Sequence, residues 1–302
     1  AGDRLDEAGR LPVTFSVADR PRNAVGVTLA YETNYGPSGQ VFYERRNTFG
    51  KAELLRLEAQ VSRLGAGGGT EDVNYRLGAS LRRPGLIDGR TTLVLETAAL
   101  RERLEAYDRD AVVATALLER PLGARWLLRG GPTFETGRIG RDGNLEPFTL
   151  AGLVLGARYD ATDSLLDPRR GIRADASVTP YAELAERGGF VRALGTVRTY
   201  FDVTGDGGSV IALRATLGSL LGASRDVPLD KRFYAGGGGS VRGYEFQGIG
   251  PRDTRGRANG GSSLVEGSVE LRQRVSGNIG VVGFLDAGSV GGSETPDFSD
   301  VR

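Results

Sequence analysis

The sequence predicts an all-β fold, a transmembrane antiparallel β-barrel, and three observations predict it. Segments of about ten residues alternate apolar and polar side chains with period two. No run of roughly 18 apolar residues exists to form a membrane-spanning helix. Charged side chains recur in mid-strand on the face opposite the apolar one, where a polar lumen accommodates them. A bilayer interior offers no partner to a bare backbone group, so a chain that crosses it without helices must do so as a closed barrel. A soluble β-sandwich or propeller also alternates, but sandwich strands usually run to about 5–6 residues.

Taken in order, the segment 10–23 carries a short alternating strand, Val13, Phe15 and Val17, that breaks at Asp19-Arg20-Pro21. It reads as the end of a preceding soluble module and a linker, so residues 1–22 are set apart from a barrel over 23–302. In 24–33, Val25, Val27, Leu29 and Tyr31 fall on one face and Gly26, Thr28, Ala30 and Glu32 on the other. In 53–62, Leu55, Leu57, Ala59 and Val61 oppose Arg56, Glu58, Gln60 and Ser62. Further strands are expected at 38–46, 71–82, 90–99, 109–119, 124–136 and 147–159. In 171–180, Ile172, Ala174, Ala176 and Val178 oppose Arg173, Asp175, Ser177 and Thr179. Strands at 189–203 and 208–220 follow; in the second, Ile211, Leu213, Ala215 and Leu217 oppose Ala212, Arg214 and Thr216. After a long connection over 221–262 come 263–274, where Val269 and Leu271 oppose Ser268, Glu270 and Arg272, and 278–287. Most connections are short and rich in turn residues, such as NYGPSG at 34–39. A stretch as long as 221–262 in a compact domain is usually functional or disordered. This makes thirteen strands. Single-chain bacterial barrels close with an even number, and the polar SETPDFSDVR ends the sequence, so the expectation is a barrel that stops short of closure.

Composition narrows the function. The 302 residues carry 39 basic and 38 acidic side chains, so no bulk charge favours nucleic acid. Lys51 and Lys231 are the two lysines; every other cation is arginine. Cysteine, histidine and methionine are absent. Taken as it stands, the chain therefore has no disulfide scaffold, thiol nucleophile, His-dependent triad or zinc-hydrolase motif. Without an initiating methionine or a leader, it reads as a mature chain or a fragment.

The long connection holds FYAGGGGSVRGYEFQGIGPRD, residues 233–253. It fits neither G-x-G-x-x-G nor G-x-x-x-x-G-K-[ST], and no helical pattern follows, so a phosphate cradle is not supported. A flexible surface loop would explain Gly236 to Gly239. It would not explain Phe233, Tyr234, Val241, Tyr244, Phe246 and Ile249, which suggest a loop that folds back and packs.

Val241-Arg242-Gly243-Tyr244 resembles the signature loop of the outer-membrane protein assembly superfamily that includes BamA, TamA and the two-partner secretion transporters. That loop joins barrel strands eleven and twelve, and eleven strands precede it here. The short return after Gly250-Pro251-Arg252-Asp253 and the opening LPVTFSVADRPRNAVGV (11–27) are most similar to TamA. LLDPRRGIR (165–173) matches a turn-to-strand element found more broadly in the superfamily. The resemblance implies a sixteen-stranded barrel preceded by the end of a POTRA (polypeptide-transport-associated) domain. It further implies that the loop tucks into the lumen, its arginine meeting Glu270, Phe284 and Asp286 on the two strands that follow. A guanidinium in a narrow lumen needs its charge compensated and its donors satisfied, and two carboxylates with an aromatic neighbour do both. Gly243 permits a backbone conformation or a close approach that a side chain would block.

By the same resemblance the chain inserts or translocates β-barrel and autotransporter clients in the bacterial outer membrane, its POTRA end in the periplasm. It would use a lateral seam whose one edge is the strand carrying Val25, Gly26, Val27, Thr28 and Leu29; Gly26 and Gly36 suit a loosely paired strand. Partners implied are the lipid bilayer, unfolded β-barrel clients and a TamB-like periplasmic protein. Nucleic acid, cofactors, metals and enzymatic activity are not implied. The alternatives are a BamA-type insertase, a two-partner secretion transporter or passive pore, and a barrel enzyme; phospholipase-type chemistry would need a histidine.

Overall fold

The structure, a computed structural model, describes residues 9, 20–32, 36–63, 73–185, 188–222, 227–277, 279–296 and 301–302. Among them, thirteen strands form one antiparallel sheet in which every strand pairs with its sequence neighbours: β1 (Asn23–Glu32), β2 (Gly36–Arg46), β3 (Leu54–Ser62), β4 (Asn74–Arg83), β5 (Thr92–Arg103), β6 (Asp108–Leu122), β7 (Trp126–Arg141), β8 (Asn144–Asp160), β9 (Gly171–Glu183), β10 (Gly188–Asp202), β11 (Ser209–Leu221), β12 (Ser263–Ser276) and β13 (Ile279–Gly291). The expected strands are all present in their expected order. The sheet is not closed: β1 and β13 are its edges. On the outer side of β13, Arg302 and Gly288 exchange both backbone hydrogen bonds at 3.0 Å.

Several strands run longer than the alternation predicts, β7 and β8 among them. β7 and β8 extend to meet at Asp142-Gly143, whose φ values of 54° and 77° are those of a two-residue hairpin turn with both central residues left-handed. The Asp-Gly pair was the available signal for it.

The two faces of the sheet separate as the alternation requires. On β1, Val25, Val27, Leu29 and Tyr31 stand between 70% and 82% exposed on one face. Leu77, Val112, Phe134, Leu155, Leu217 and Leu285 continue that apolar exterior across the sheet. The other face bears the charges. It also carries a buried apolar cluster in which Leu100, Ile139, Phe148, Leu150, Phe190, Leu220, Leu264 and Val290 of the wall meet Val227, Phe233, Ala235, Val241 and Ile249 of the β11–β12 connection. The connection therefore lies inside the curve of the sheet. Burying a large apolar side chain contributes about 1.5–3 kcal/mol, so Phe233, Val241 and Ile249 alone weigh substantially toward keeping it there.

Toward β2, β1 is regularly paired, and the seam expected on its other side is not formed among the described residues. Its ladder to β2 is unbroken from Asn23↔Arg45 to Glu32↔Gly36. Gly26 lies directly beneath the ring of Phe42, where an added Cβ would stand 2.2 Å from Phe42 Cζ. The glycine makes room for a cross-strand aromatic, a device that strengthens a strand pair. Arg46 ties the approach to β1 by donating to the carbonyls of Pro21 and Arg22, at 2.9 and 2.7 Å. The rest of the segment read as a preceding module, including Val13, Phe15 and Val17, lies outside the described residues.

Candidate functional site: the loop inside the barrel wall

The β11–β12 connection is ordered by its own backbone. A 3₁₀ turn at Leu229–Lys231 opens the part described from residue 227, and bridges Phe233↔Gly261, Ala235↔Ile249 and Arg252↔Ala258 pair its outgoing and returning arms. Gly236, Gly237 and Gly243 have φ of 107°, 96° and 91°, a region that side-chain-bearing residues rarely adopt. At Gly236 a Cβ would also meet the carbonyl of Glu245 at 2.3 Å. At Gly243 it would meet nothing within 4 Å, so that glycine serves the backbone conformation and not a close approach.

The turn aims Arg242 at β12 and β13. Its Nε and NH2 donate to the two oxygens of Asp286 at 2.6 and 2.8 Å, its NH1 donates to Glu270 Oε1 at 2.7 Å, and its NH2 also reaches Ser268 Oγ at 3.1 Å. The Arg242 backbone N–H adds a third bond to Asp286, at 3.0 Å. The guanidinium carbon lies 3.7 Å from the centroid of the Phe284 ring, within cation–π range. Asp286 is almost fully buried, and Ser268 Oγ donates to it at 2.6 Å. Hydrogen bonds and charge from Asp286, then Glu270, hold the Arg242 pKa above its ordinary value.

The register explains the meeting. Ser268 pairs with Asp286 and Glu270 with Phe284 across β12–β13, so all four side chains project from adjacent inward positions. Val241 is buried against Gly288, where a Cβ would stand 2.7 Å from Val241 Cγ2. Tyr244 is exposed; its backbone carbonyl accepts from Gly237 N at 3.1 Å. Arg242, Glu270, Phe284 and Asp286 thus come together as residues, while the β1 positions Val25, Gly26, Val27, Thr28 and Leu29 form the far edge of the sheet.

Ser268 was missed in the sequence, and so was a second fastening. The 3₁₀ turn places Asp230 and Lys231 against β6 and β7. Lys231 Nζ lies 2.6 Å from Glu135 and 2.8 Å from Asp230, while Arg109 lies 2.5 Å from Glu135 and 3.5 Å from Asp230. The side chains of Asp230, Glu135, Arg109 and Lys231 are only 2%, 6%, 10% and 13% exposed, a more secluded group than the Arg242 site. Burial pulls the Lys231 pKa down, but the carboxylates of Asp230 and Glu135 outweigh it and raise it. Arg192 of β10 donates to the Lys231 carbonyl at 3.1 Å and lies over the Phe233 ring. Arg109 and Glu135 occupy inward positions like any lumen charge. The one sequence signal was a lysine in a chain of arginines.

A third contact holds the loop's far tip at the β7–β8 turn. Arg141 reaches Asp253 at 3.3 Å and the Ala258 carbonyl at 2.8 Å, and Arg255 and Arg257 pair with Asp142 at 2.5 and 2.8 Å. The Arg257 backbone amide and guanidinium lower the Asp253 pKa to about 2. With Arg214 of β11 donating to the Gly239 and Ser240 carbonyls, the loop is tied to β6, β7, β10, β11, β12 and β13, and the sheet wraps around it.

A model of the Omp85 superfamily domain matches residues 23–302. Among solved structures, BamA from Haemophilus ducreyi lacking POTRA domains 1-3 matches with a TM-score of 0.77 at 18% identity, over 90% of this chain and 58% of that one. CdiB from Acinetobacter baumannii matches with a TM-score of 0.57 at 16% identity, over 92% of this chain and 51% of that one. CdiB from Escherichia coli matches with a TM-score of 0.58 at 13% identity, over 95% of this chain and 55% of that one. The chain thus spans between 51% and 58% of the length of these three proteins.

Proposed function

The chain belongs to the Omp85 superfamily, and on that premise we propose that it is a TamA-like outer-membrane assembly factor that inserts or translocates β-barrel clients, autotransporters among them. The observation that carries the reading is the loop: it lies inside the curve of the sheet and seats Arg242 on Glu270 of β12 and Asp286 of β13. A passive pore has no use for a folded, triply fastened obstruction. In an assembly factor, the loop holds the β12–β13 wall in place while the β1 edge is offered to an incoming strand. An unpaired strand edge recruits a polypeptide through its backbone N–H and C=O groups.

In this reading residues 1–22 end a POTRA domain that faces the periplasm and receives a TamB-like partner. The short return from Arg252 to Ser263 favours the TamA-like branch. The fold match to the BamA barrel favours a BamA-type insertase as the second reading, and the CdiB matches keep a two-partner secretion transporter beside it.

The test is client insertion into proteoliposomes by the full-length protein, native against Arg242→Ala and Arg242→Lys. Lysine keeps the charge but cannot fork across Asp286 and Glu270. The expected order is native, then lysine, then alanine, with the alanine variant at least about tenfold slower, as loss of a charge-assisted cluster predicts. Native insertion by a correctly folded Arg242→Ala protein would sink the assembly role of the loop. Export of a soluble client without insertion of a barrel would replace the assembly reading with the transporter.

A further inference from the structure

Three arginines stand side by side on the inner face of adjoining strands. Arg198 on β10 is directly opposite Arg173 on β9 and directly opposite Arg214 on β11. Like charges facing each other across a ladder are destabilising, so such a row requires compensation, and the compensation falls away along it. Arg173 is bound by Asp160 at 2.8 Å. Arg198 has a single carboxylate partner among the described residues, Asp175 at 3.5 Å, and Asp175 is already engaged by Arg158 at 2.6 Å. Arg214 donates to the loop carbonyls of Gly239, at 2.7 Å, and Ser240, and pairs with no carboxylate among the described residues.

This uncompensated end faces a cavity of about 220 Å³ whose wall carries Arg198, Arg214, Arg242 and Arg272 and one carboxylate, Glu270, while Asp286 behind the wall neutralises Arg242. Glu270 is divided between Arg242 and Arg272, at 2.7 and 2.9 Å, and has little left to neutralise the others. Gly238 and Gly239 complete the wall, and a Cβ on either would meet nothing within 4 Å, so the space beside the loop backbone is open. Arg198 is 38% exposed and its guanidinium is reachable. A concave wall of predominantly positive charge concentrates its field on whatever enters, and the planar arginine fork matches a carboxylate with two parallel hydrogen bonds.

We propose that this cavity binds carboxylate groups of a polypeptide segment lying in the lumen, with Arg198 and Arg214 making the contacts. The site would take acidic side chains or a chain's terminal carboxylate as the segment passes the loop. The idea rests on the reading above, that polypeptide clients engage the barrel, because a polypeptide is what brings carboxylates there. Free phosphate presents similar acceptors, and the test separates the two.

The protein in lipid nanodiscs is titrated into a fluorescein-labelled hexaglutamate peptide at low salt, with hexaglutamine as the neutral control, and anisotropy is read. Arg198→Glu is the informative variant, because Arg198 holds neither the loop nor the Arg242 cluster. We expect hexaglutamate to bind and hexaglutamine not to. Affinity for hexaglutamate falls about tenfold or more in Arg198→Glu, with inorganic phosphate at the peptide's concentration failing to displace it. Absence of hexaglutamate binding to the native protein, equal affinity in the variant, or displacement by equimolar phosphate would each overturn the proposal. If Arg198→Glu does not reach the folded barrel, Arg198→Gln is read by the same criteria. No client is inserted in this assay, so its failure leaves the assembly reading standing, and failure of the Arg242 experiment leaves this one to be decided separately.

Discussion

The two sides of the sheet compensate their inward charges differently. The β1–β4 wall does so within itself. Arg56 bridges Glu44 at 2.8 Å and Glu58 at 3.3 Å, Arg76 reaches Glu58 at 3.6 Å, and Arg56 lies over the ring of Phe42. Those side chains are between 17% and 47% exposed, and each partner sits on the same or a neighbouring strand. The β6–β13 wall pairs some charges within itself, as Arg173 with Asp160 at 2.8 Å, but sends its most buried carboxylates to a loop far away in sequence. Glu135 meets Lys231 across 96 positions and Asp286 meets Arg242 across 44. The difference teaches what each wall is built to do. A wall that balances its charge locally keeps its structure whether or not the lumen is occupied. A wall whose carboxylates are buried under a loop is complete only while the loop is seated.

Breaking the loop-bearing side should therefore cost most. Asp286→Ala removes the acceptor of four hydrogen bonds and leaves Arg242 with Glu270 as its one carboxylate, so the free energy of loop release should fall by about 3 kcal/mol. The rate of tryptic cleavage at Arg252 and Arg255 reads that release; unchanged cleavage would show that the loop does not depend on Asp286. Lys231→Met is next, at about 2–3 kcal/mol, since Arg109 still faces Glu135 and Asp230. The same protease assay checks it. Combining both substitutions sharpens the comparison: additive costs mean two independent fastenings, a shortfall means that the loop leaves as one body.

On the self-contained side, Glu58→Gln should change thermal stability by no more than about 1 kcal/mol, as exposed ion pairs do. A larger loss, read by heat-modifiable gel mobility, would erase the distinction between the walls. The smallest effect concerns the loop tip. The Asp253 pKa is lowered in the folded chain, so its contribution is present above the unfolded carboxylate range, near 3.9, and is lost as pH falls through about 2. A spin label at residue 254 should keep its mobility from pH 7 to about 4.5 and loosen only below about 3. Loosening near pH 6 would mean that another group controls the tip.

Alternation made the strands legible because a period of two survives any twist of the sheet. It placed Val25, Val27, Leu29 and Tyr31 on one face and carried the count past the long connection. It could not place strand ends, since a turn such as Asp142-Gly143 interrupts hydrophobicity without interrupting pairing. The Arg242 cluster was legible because its motif is local and resembles a family signature, and that resemblance implied its partners Glu270, Phe284 and Asp286. The Arg109–Glu135–Asp230–Lys231 group was not. Its members come from three places in the chain, and only the curvature of the sheet brings them together. The arginine row of Arg173, Arg198 and Arg214 was hidden for another reason: each looks like an ordinary inward charge until the register puts the three abreast.

The bridges Phe233↔Gly261, Ala235↔Ile249 and Arg252↔Ala258 give the loop a frame of its own. A segment so braced should leave as one body when its fastenings are cut, the outcome that a shortfall in the double variant would show. The space inside the sheet is then either occupied by the loop or clear, with no continuum between the two. In an electrical recording, current through the protein would step between a blocked and an unblocked level, and the dwell times at each level would count the moments at which the plug is out.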